Sequence, residues 1–333
     1  MGIKKLSYIQ IGAESTAAKG TEVNADIIWR GMGNIVTDDE KVFPEEDVGY
    51  LSGVNRSYTP KLAATLEMEE GPATFEQAPH IFEAGIATEV ATQDGAGDGY
   101  IYQYAFPTTA APEITTYTIE GGDNVQEYQF TYGVVSDFSI AGAAEQAVTV
   151  AANWFGREAD TGTKTAALSL VSVEEVLFQL ATLYVDGTGD TFGTTQATNT
   201  FLEFNLNYTT GFQPVYTGDG QKYFTFEKNI GPEVLLDVMF EHDATAVTEY
   251  AAYKNGTTRM IRIDCTGSTL TSSGTVYAEK KMIIDVCGAW ESFEGLDEKD
   301  GNTVVTGTLR GRYDIAAQDF GKIIVVNELT VLP

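Results

Sequence analysis

Met68-Glu69-Glu70-Gly71-Pro72-Ala73-Thr74 returns later in the chain as Met239-Phe240-Glu241-His242-Asp243-Ala244-Thr245. The segment after the first copy carries Phe82 and Gly85, and the segment after the second carries Tyr253 and Gly256. Further on, Asp137-Phe138, Val148-x-Val150 and Gly156-Arg157 are answered by Ser292-Phe293, Thr303-x-Val305 and Gly311-Arg312. The registers differ by a short insertion in the first copy, so the pattern reads as a diverged duplication rather than a short-period solenoid. A length of 333 residues fits two units of roughly 150 residues each. The boundary is expected in the polar stretch Arg157–Lys164, giving modules 1–163 and 164–333.

Between the repeated landmarks, period-two alternation and β-branched or aromatic runs dominate. Strands are expected at Leu6–Gly12, Ser57–Glu69, Ile101–Ala105, Tyr117–Glu120, Glu127–Ile140 and Ala147–Trp154. In the second half they are expected at Val176–Val185, Thr200–Tyr208, Gln221–Phe226, Val234–Glu241, Arg259–Asp264, Lys280–Phe293, Thr303–Tyr313 and Lys322–Val331. A short helix over Phe75–Ile86 is expected to be kinked or shortened by Pro79. A second, Ala244–Lys254, ends at Asn255-Gly256, a good C-cap pair. The fold class is therefore mainly β: two tandem β-sandwich or barrel modules, each with one short helix and long inter-subunit loops. Residues 13–56 read as a long polar connection without strong periodicity, of the kind that is functional or folds against a neighbour.

The 48 acidic and 20 basic residues give a formal net charge of -28. That charge repels other polyanions and argues against phosphate-backbone binding, which needs clustered Lys and Arg. A halophilic source would also account for an acidic surface. Cys265 and Cys287 have no CxxC partner and are expected as buried free thiols made in a reducing compartment. The N-terminal residues have no apolar h-region, and no run approaches the roughly 18 apolar residues of a membrane helix. The expectation is a protein made and used in solution, with no membrane partner.

Chemistry-bearing constellations are sparse. His80 and His242 are the two histidines, too few for a His-rich zinc site, and no Gly-x-Ser-x-Gly elbow supports a hydrolase triad. Glu69-Glu70, Glu45-Glu46-Asp47 and Glu174-Glu175 are carboxylate pairs by type only; among so many acids, solvated faces account for them. Asp94-Gly-Ala-Gly-Asp98-Gly and Asp297-Glu-Lys-Asp300-Gly resemble loose calcium loops but lack the distal glutamate, and turn chemistry is the better account. Gly187-Thr-Gly189-Asp-Thr-Phe-Gly193 has no βαβ context and reads as a flexible loop. No enzyme, cofactor or metal is expected.

The order of elements resembles the tail tube (major tail) proteins of long, flexible-tailed phages. The resemblance rests on Gly12-Ala13-Glu14 with Lys19-Gly20-Thr21, on Pro44-Glu45-Glu46-Asp47-Val48-Gly49, on Leu66 to Glu76, on Tyr117-Thr118-Ile119-Glu120-Gly121-Gly122-Asp123, and on Phe130 to Gly142 followed by Val148 to Arg157. It implies modules assembled into rings that stack as a hollow tube. Where single-domain members form rings of six, three duplicated chains would supply six pseudo-equivalent modules. Inner sheets would join edge to edge around an acidic lumen through which viral DNA slides without specific binding. Implied partners are further copies of the chain and the tape-measure, tail terminator and baseplate or distal tail proteins. The implied location is the virion tail tube, assembled in the host bacterial cytoplasm. A carbohydrate-active or adhesion β-protein of a surface layer is the alternative.

Within this reading, Arg157 and Arg312 close equivalent strands and are candidates for bidentate ion pairs with a carboxylate on the next module. Trp154 and Trp290 are candidates for core or inter-module packing. The 13–56 segment, with Glu22, Asp38, Asp39, Glu45, Glu46 and Asp47, is the candidate arm reaching an adjacent ring.

Overall fold

A computed structural model describes residues 2–332. The chain is mainly β, with large antiparallel sheets and two α-helices among the described residues. The first half contains β1 (Gln10–Ala13), β2 (Ile27–Ile28), β3 (Gly33–Thr37), β4 (Glu40–Val42), β5 (Tyr58–Lys61), β6 (Ala64–Pro72), α1 (Ala78–Gly85), β7 (Thr92–Gln93), β8 (Tyr100–Ala105), β9 (Tyr117–Gly122), β10 (Glu127–Ala143), β11 (Thr149–Gly156) and β12 (Asp160–Thr161). The second contains β13 (Ala181–Gly187), β14 (Gln196–Ala197), β15 (Phe201–Thr209), β16 (Phe212–Val215), β17 (Phe226–Asn229), β18 (Glu233–Glu241), α2 (Ala244–Asn255), β19 (Thr258–Thr269), β20 (Glu279–Phe293), β21 (Asp297–Lys299), β22 (Asn302–Gly311) and β23 (Gly321–Asn327).

The ladders recur. In the first half β3 pairs with β6, β6 with β11, β11 with the C-terminal part of β10, the N-terminal part of β10 with β9, and β9 with β1. In the second, β15 pairs with β18, β18 with β22, β22 with the end of β20, β20 with β19, and β19 with β13. The hairpins β4–β5 and β16–β17 stand apart as two-stranded sheets at the same point of each half. β10 passes from one sheet into another through an irregularity between Phe130 and Gly133, where Tyr132 has φ 60°.

The two halves do not stand apart. The end of β10 pairs with β15, so four strands of each half run on as one sheet: β3-β6-β11-β10-β15-β18-β22-β20. β8 pairs with β23, carrying a strand of the first half into the sheet of the second. One buried cluster holds Phe82, Phe138 and Trp154 together with Tyr208, Leu236 and Trp290.

The ladders also correct the alignment of the opening repeat. Met68 opposes Ala152 on β11, while Gly307, the β22 counterpart of Ala152, opposes Val238. Val238, not Met239, is thus the partner of Met68. Met68 and Val238 are buried, and Met239 lies on the other face. Side chains alternate with period two, so the one-residue slip in the sequence match would have turned this strand inside out.

Other expectations shift at their ends. α1 begins at Ala78, three residues after the expected start, so Pro79 occupies the first turn, where its missing N–H costs nothing. α2 is capped by the Asp243 carboxylate, which accepts from Thr245 N (2.8 Å) and Ala246 N (3.0 Å), and it ends at Gly256 with φ 63°. Ser57–Glu69 is two strands, β5 and β6. Part of the 13–56 connection belongs to the main sheets: β2 pairs with β1 and β3 with β6, while β4–β5 stands apart. These strands of two and five residues are too short to declare a period.

Candidate assembly interface

The junction inside the chain is built from β10 and β15. Phe138 faces Tyr208 across the ladder, ring centroids 5.0 Å apart and stacked. Phe82 of α1 lies 5.4 Å from Phe138, and Phe106 lies 4.9 Å from Tyr208. The Thr210 hydroxyl donates to the carbonyls of Val135 and Ser136, both at 2.9 Å. The junction is therefore buried on the core side and closed by backbone hydrogen bonds along its length.

Beside it, the β16–β17 hairpin leans onto the first half. Phe212 and Phe224 join Ile114, Tyr132, Val134 and Phe155 in a satellite core. The Arg157 guanidinium sits 4.6 Å from the Tyr132 ring centre and 4.7 Å from that of Tyr223. It donates to the carbonyls of Phe224 (3.2 Å) and Thr225 (3.0 Å). Its partners are rings and carbonyls, not the carboxylate expected from sequence, because it meets the end of a hairpin whose carbonyls lack ladder partners. Glu227 ties the same hairpin down, accepting from Lys19 Nζ (2.7 Å) and the Tyr132 hydroxyl (2.5 Å). Those donors hold its carboxyl below the usual range against a burial effect that pushes it up.

Arg312, the counterpart of Arg157, is exposed and hydrogen-bonds the Thr258 hydroxyl. Among the described residues it makes no ion pair or ring contact. Trp154 and Trp290 are core residues of their own halves and not at matching positions. Trp154, on β11, donates to Met68 Sδ (3.2 Å) and meets Tyr117 edge-on. Trp290, on β20, donates to the buried Glu249 (2.8 Å) and packs against Phe240 and Phe293. The cross-strand neighbour of Trp154 is Val135 and that of Trp290 is Leu309, so one indole fills each core from opposite sides of the same strand pair.

Apart from Glu22, the acidic arm candidates fall in the turns between β3 and β4 and between β4 and β5. Glu22 is exposed, upstream of β2. Asp38 pairs with Lys61 (2.8 Å), and Asp39 accepts from Ala63 N (3.2 Å). Glu45 bridges to Val54 through the backbone, Glu46 accepts from Arg56 Nε (2.9 Å), and Asp47 is exposed. Around them Phe43, Tyr50, Leu51 and Tyr58 are exposed to solvent.

At the opposite end of the eight-strand run, β20 beyond Ala289 is paired, among the described residues, on one side alone, by β22. Val247 and Tyr250 of α2 and Leu296 are exposed there. A cavity of about 380 Å³ opens between them, lined also by Phe293 and Val305. Exposed apolar groups thus gather at both ends of the run, where contiguous patches mark contact surfaces. A cavity of about 410 Å³ lies on the solvent face of the sheet where β6, β11 and β10 meet β15. Glu67, Glu69, Glu70, Asp137, Asn153 and Asn207 line it, with no Lys or Arg.

The titratable groups elsewhere serve the fold. Glu14, in the Gly12-Ala13-Glu14 motif, is buried and accepts from Gly20 N (2.6 Å), Thr116 (2.6 Å), Thr118 (3.0 Å) and Tyr132 N (2.9 Å). Asp94 accepts from the backbone N–H groups of Thr275 (3.0 Å), Val276 (3.0 Å) and Tyr277 (2.7 Å). Its carboxylate is spent on donors, the reverse of a calcium ligand's role. Asp300-Gly301 closes a two-residue hairpin loop with φ 53° and 83°, the geometry of a type I′ turn. His80 Nδ1 lies 3.2 Å from the Tyr117 hydroxyl, which donates to Glu83 (3.1 Å). Burial lowers His80 to about 4 and raises Glu83 to about 7. Cys265 and Cys287 are free and buried, their thiols pushed up to about 12 by burial. Among the described residues no three His, Cys, Asp or Glu side chains gather to hold a metal ion, and no helix is long and apolar enough to cross a membrane.

No protein-family model matches the chain, and no curated protein matches it.

Proposed function

We propose that this chain is a structural subunit that polymerises into stacked rings, the tail tube of a siphophage-like virion, assembled in the host cytoplasm. In this reading the chain holds two tube modules, 1–163 and 164–333, and three chains form a pseudo-hexameric ring. The observation that carries it is the β10–β15 ladder: two sheets with the same strand order already join edge to edge inside one chain. That join uses the far edge of the first sheet and the near edge of the second. It leaves the corresponding edges, β3 and the end of β20, without partners among the described residues. A repeated heterologous join closes into a ring if the rotation permits, and closure removes exposed strand edges.

The solvent face of the eight-strand run supports a conduit rather than a binding surface. It presents Glu67, Asp137, Asn153, Asn207 and Asp237; Arg310 on the same face is held by Glu233 and Glu291, and the cavity in the face is free of cationic side chains. Facing inward, it would repel DNA phosphates along the wall and give them nothing to grip. The partners implied by the resemblance, the tape-measure, terminator and distal tail proteins, would meet the ends of the tube.

Negative-stain electron microscopy of the concentrated protein tests the reading. Stacked rings with threefold class averages are expected. Persistent monomers under all conditions would overturn it in favour of a carbohydrate-active or adhesion protein.

A further inference from the structure

We infer that the β4–β5 hairpin of one chain docks on the Arg312 face of a second copy, repeating between chains the contact that β16–β17 makes with Arg157 within one. The inference rests on the ring reading and fixes which residues meet. The equivalence comes from the ladders alone. Arg157 and Arg312 each follow the strand that pairs with β6 or β18, and the irregularity between Val135 and Asp137 in β10 recurs between Trp290 and Ser292 in β20. On the other side, Val42 opposes Tyr58 as Gln213 opposes Lys228. The hairpins therefore leave their sheets at the same register.

The two contacts differ in one respect: the first is made and the second is waiting. Arg157 is half-buried under Tyr223 and Phe224, whereas Arg312 is exposed. Phe212 and Phe224 of β16–β17 are buried, whereas Phe43, Tyr50, Leu51 and Tyr58 of β4–β5 are in solvent. Charge agrees with the pairing. The counterpart of Phe155, which lines the occupied face, is Arg310, so the open face carries two arginines. The hairpin assigned to it carries the exposed Glu45 and Asp47, with Glu46 already held by Arg56. Arg310 is already held by Glu233 and Glu291, which leaves Arg312 as the clamp.

The same ladders set the strand register. Asp137 opposes Thr209 and Phe138 opposes Tyr208. Carried through the ladders, Ser292 of one chain opposes Asp38 of the next, and Phe293 opposes Thr37. Opposed residues on antiparallel strands lie within disulfide reach.

The experiment uses the full chain with S292C and D38C together, assembled under reducing conditions and then oxidised. Covalent ladders of chains are expected on a denaturing gel, against little cross-linking for S292C with V36C. A companion R312A variant should raise the concentration needed for assembly by about tenfold while the monomer melts unchanged. Rings that form and yet cross-link no better at Asp38 than at Val36, or that assemble equally well with R312A, overturn this contact and leave the tube reading standing. Chains that never assemble overturn both.

Discussion

Phe138 on β10 and Tyr208 on β15 stack across the ladder that joins the two halves, their ring centroids 5.0 Å apart at an interplanar angle of 19°. Through Phe82 the pair reaches α1, and through Phe106 it reaches the edge of β8. Removing either ring opens a void that faces both halves at once.

Tyr208→Ala is therefore expected to cost about 3 kcal/mol, as for other aromatic truncations in a core. The buried cluster is continuous, so calorimetry should show one transition moved to lower temperature. Two separated transitions would contradict a shared core.

Arg157→Ala removes two hydrogen bonds and the cation stacked between rings. The expected loss is about 1–2 kcal/mol, with faster amide exchange over residues 212–229. Arg157→Lys keeps the charge but not the fork, and should recover less than half of the protection. Unchanged exchange in that hairpin would show that Arg157 does not hold it.

The His80–Tyr117–Glu83 cluster gives a pH signature. Glu83 is raised to about 7, so its contribution is present at low pH and fades as pH climbs from 4.5 towards 7. His80 is lowered to about 4, so its contribution is present above 6.5 and fades as pH falls towards 4. In the shared window the two slopes oppose each other. Glu83→Gln removes the first, so stability should climb more steeply between pH 5 and 7 than in the unaltered chain. The gap between the curves should be on the order of 3 kcal/mol across the window. Parallel melting curves would rule this out.

Asp94→Ala strips the acceptor from three backbone N–H groups and should cost about 2 kcal/mol. Calcium should not raise the melting temperature of the unaltered chain, since the carboxylate is occupied by donors. A calcium-dependent rise lost in the variant would restore the cation reading.

Assembled tubes should not retain duplex DNA in a sedimentation assay even at low salt, because the proposed wall is predominantly acidic and its Arg310 is held by Glu233 and Glu291. Cosedimentation that salt reverses would place basic groups, not Glu67 and Asp137, on the inner face.

The sequence by itself determined the class, most strands and the second helix, because alternation, Asn-Gly caps and Asp-Gly turns are local signals with local causes. It also pointed to the recurring strand order, through residues such as Gly156-Arg157 and Gly311-Arg312. It did not determine the register: two methionines matched by identity where the ladder matches Met68 to Val238, since only cross-strand partners fix which face a residue takes. Nor could it show that Arg157 is spent inside the chain while Arg312 is open. That difference was decided by tertiary structure, because the second half supplies a hairpin to cover the first, and no hairpin among the described residues covers the second.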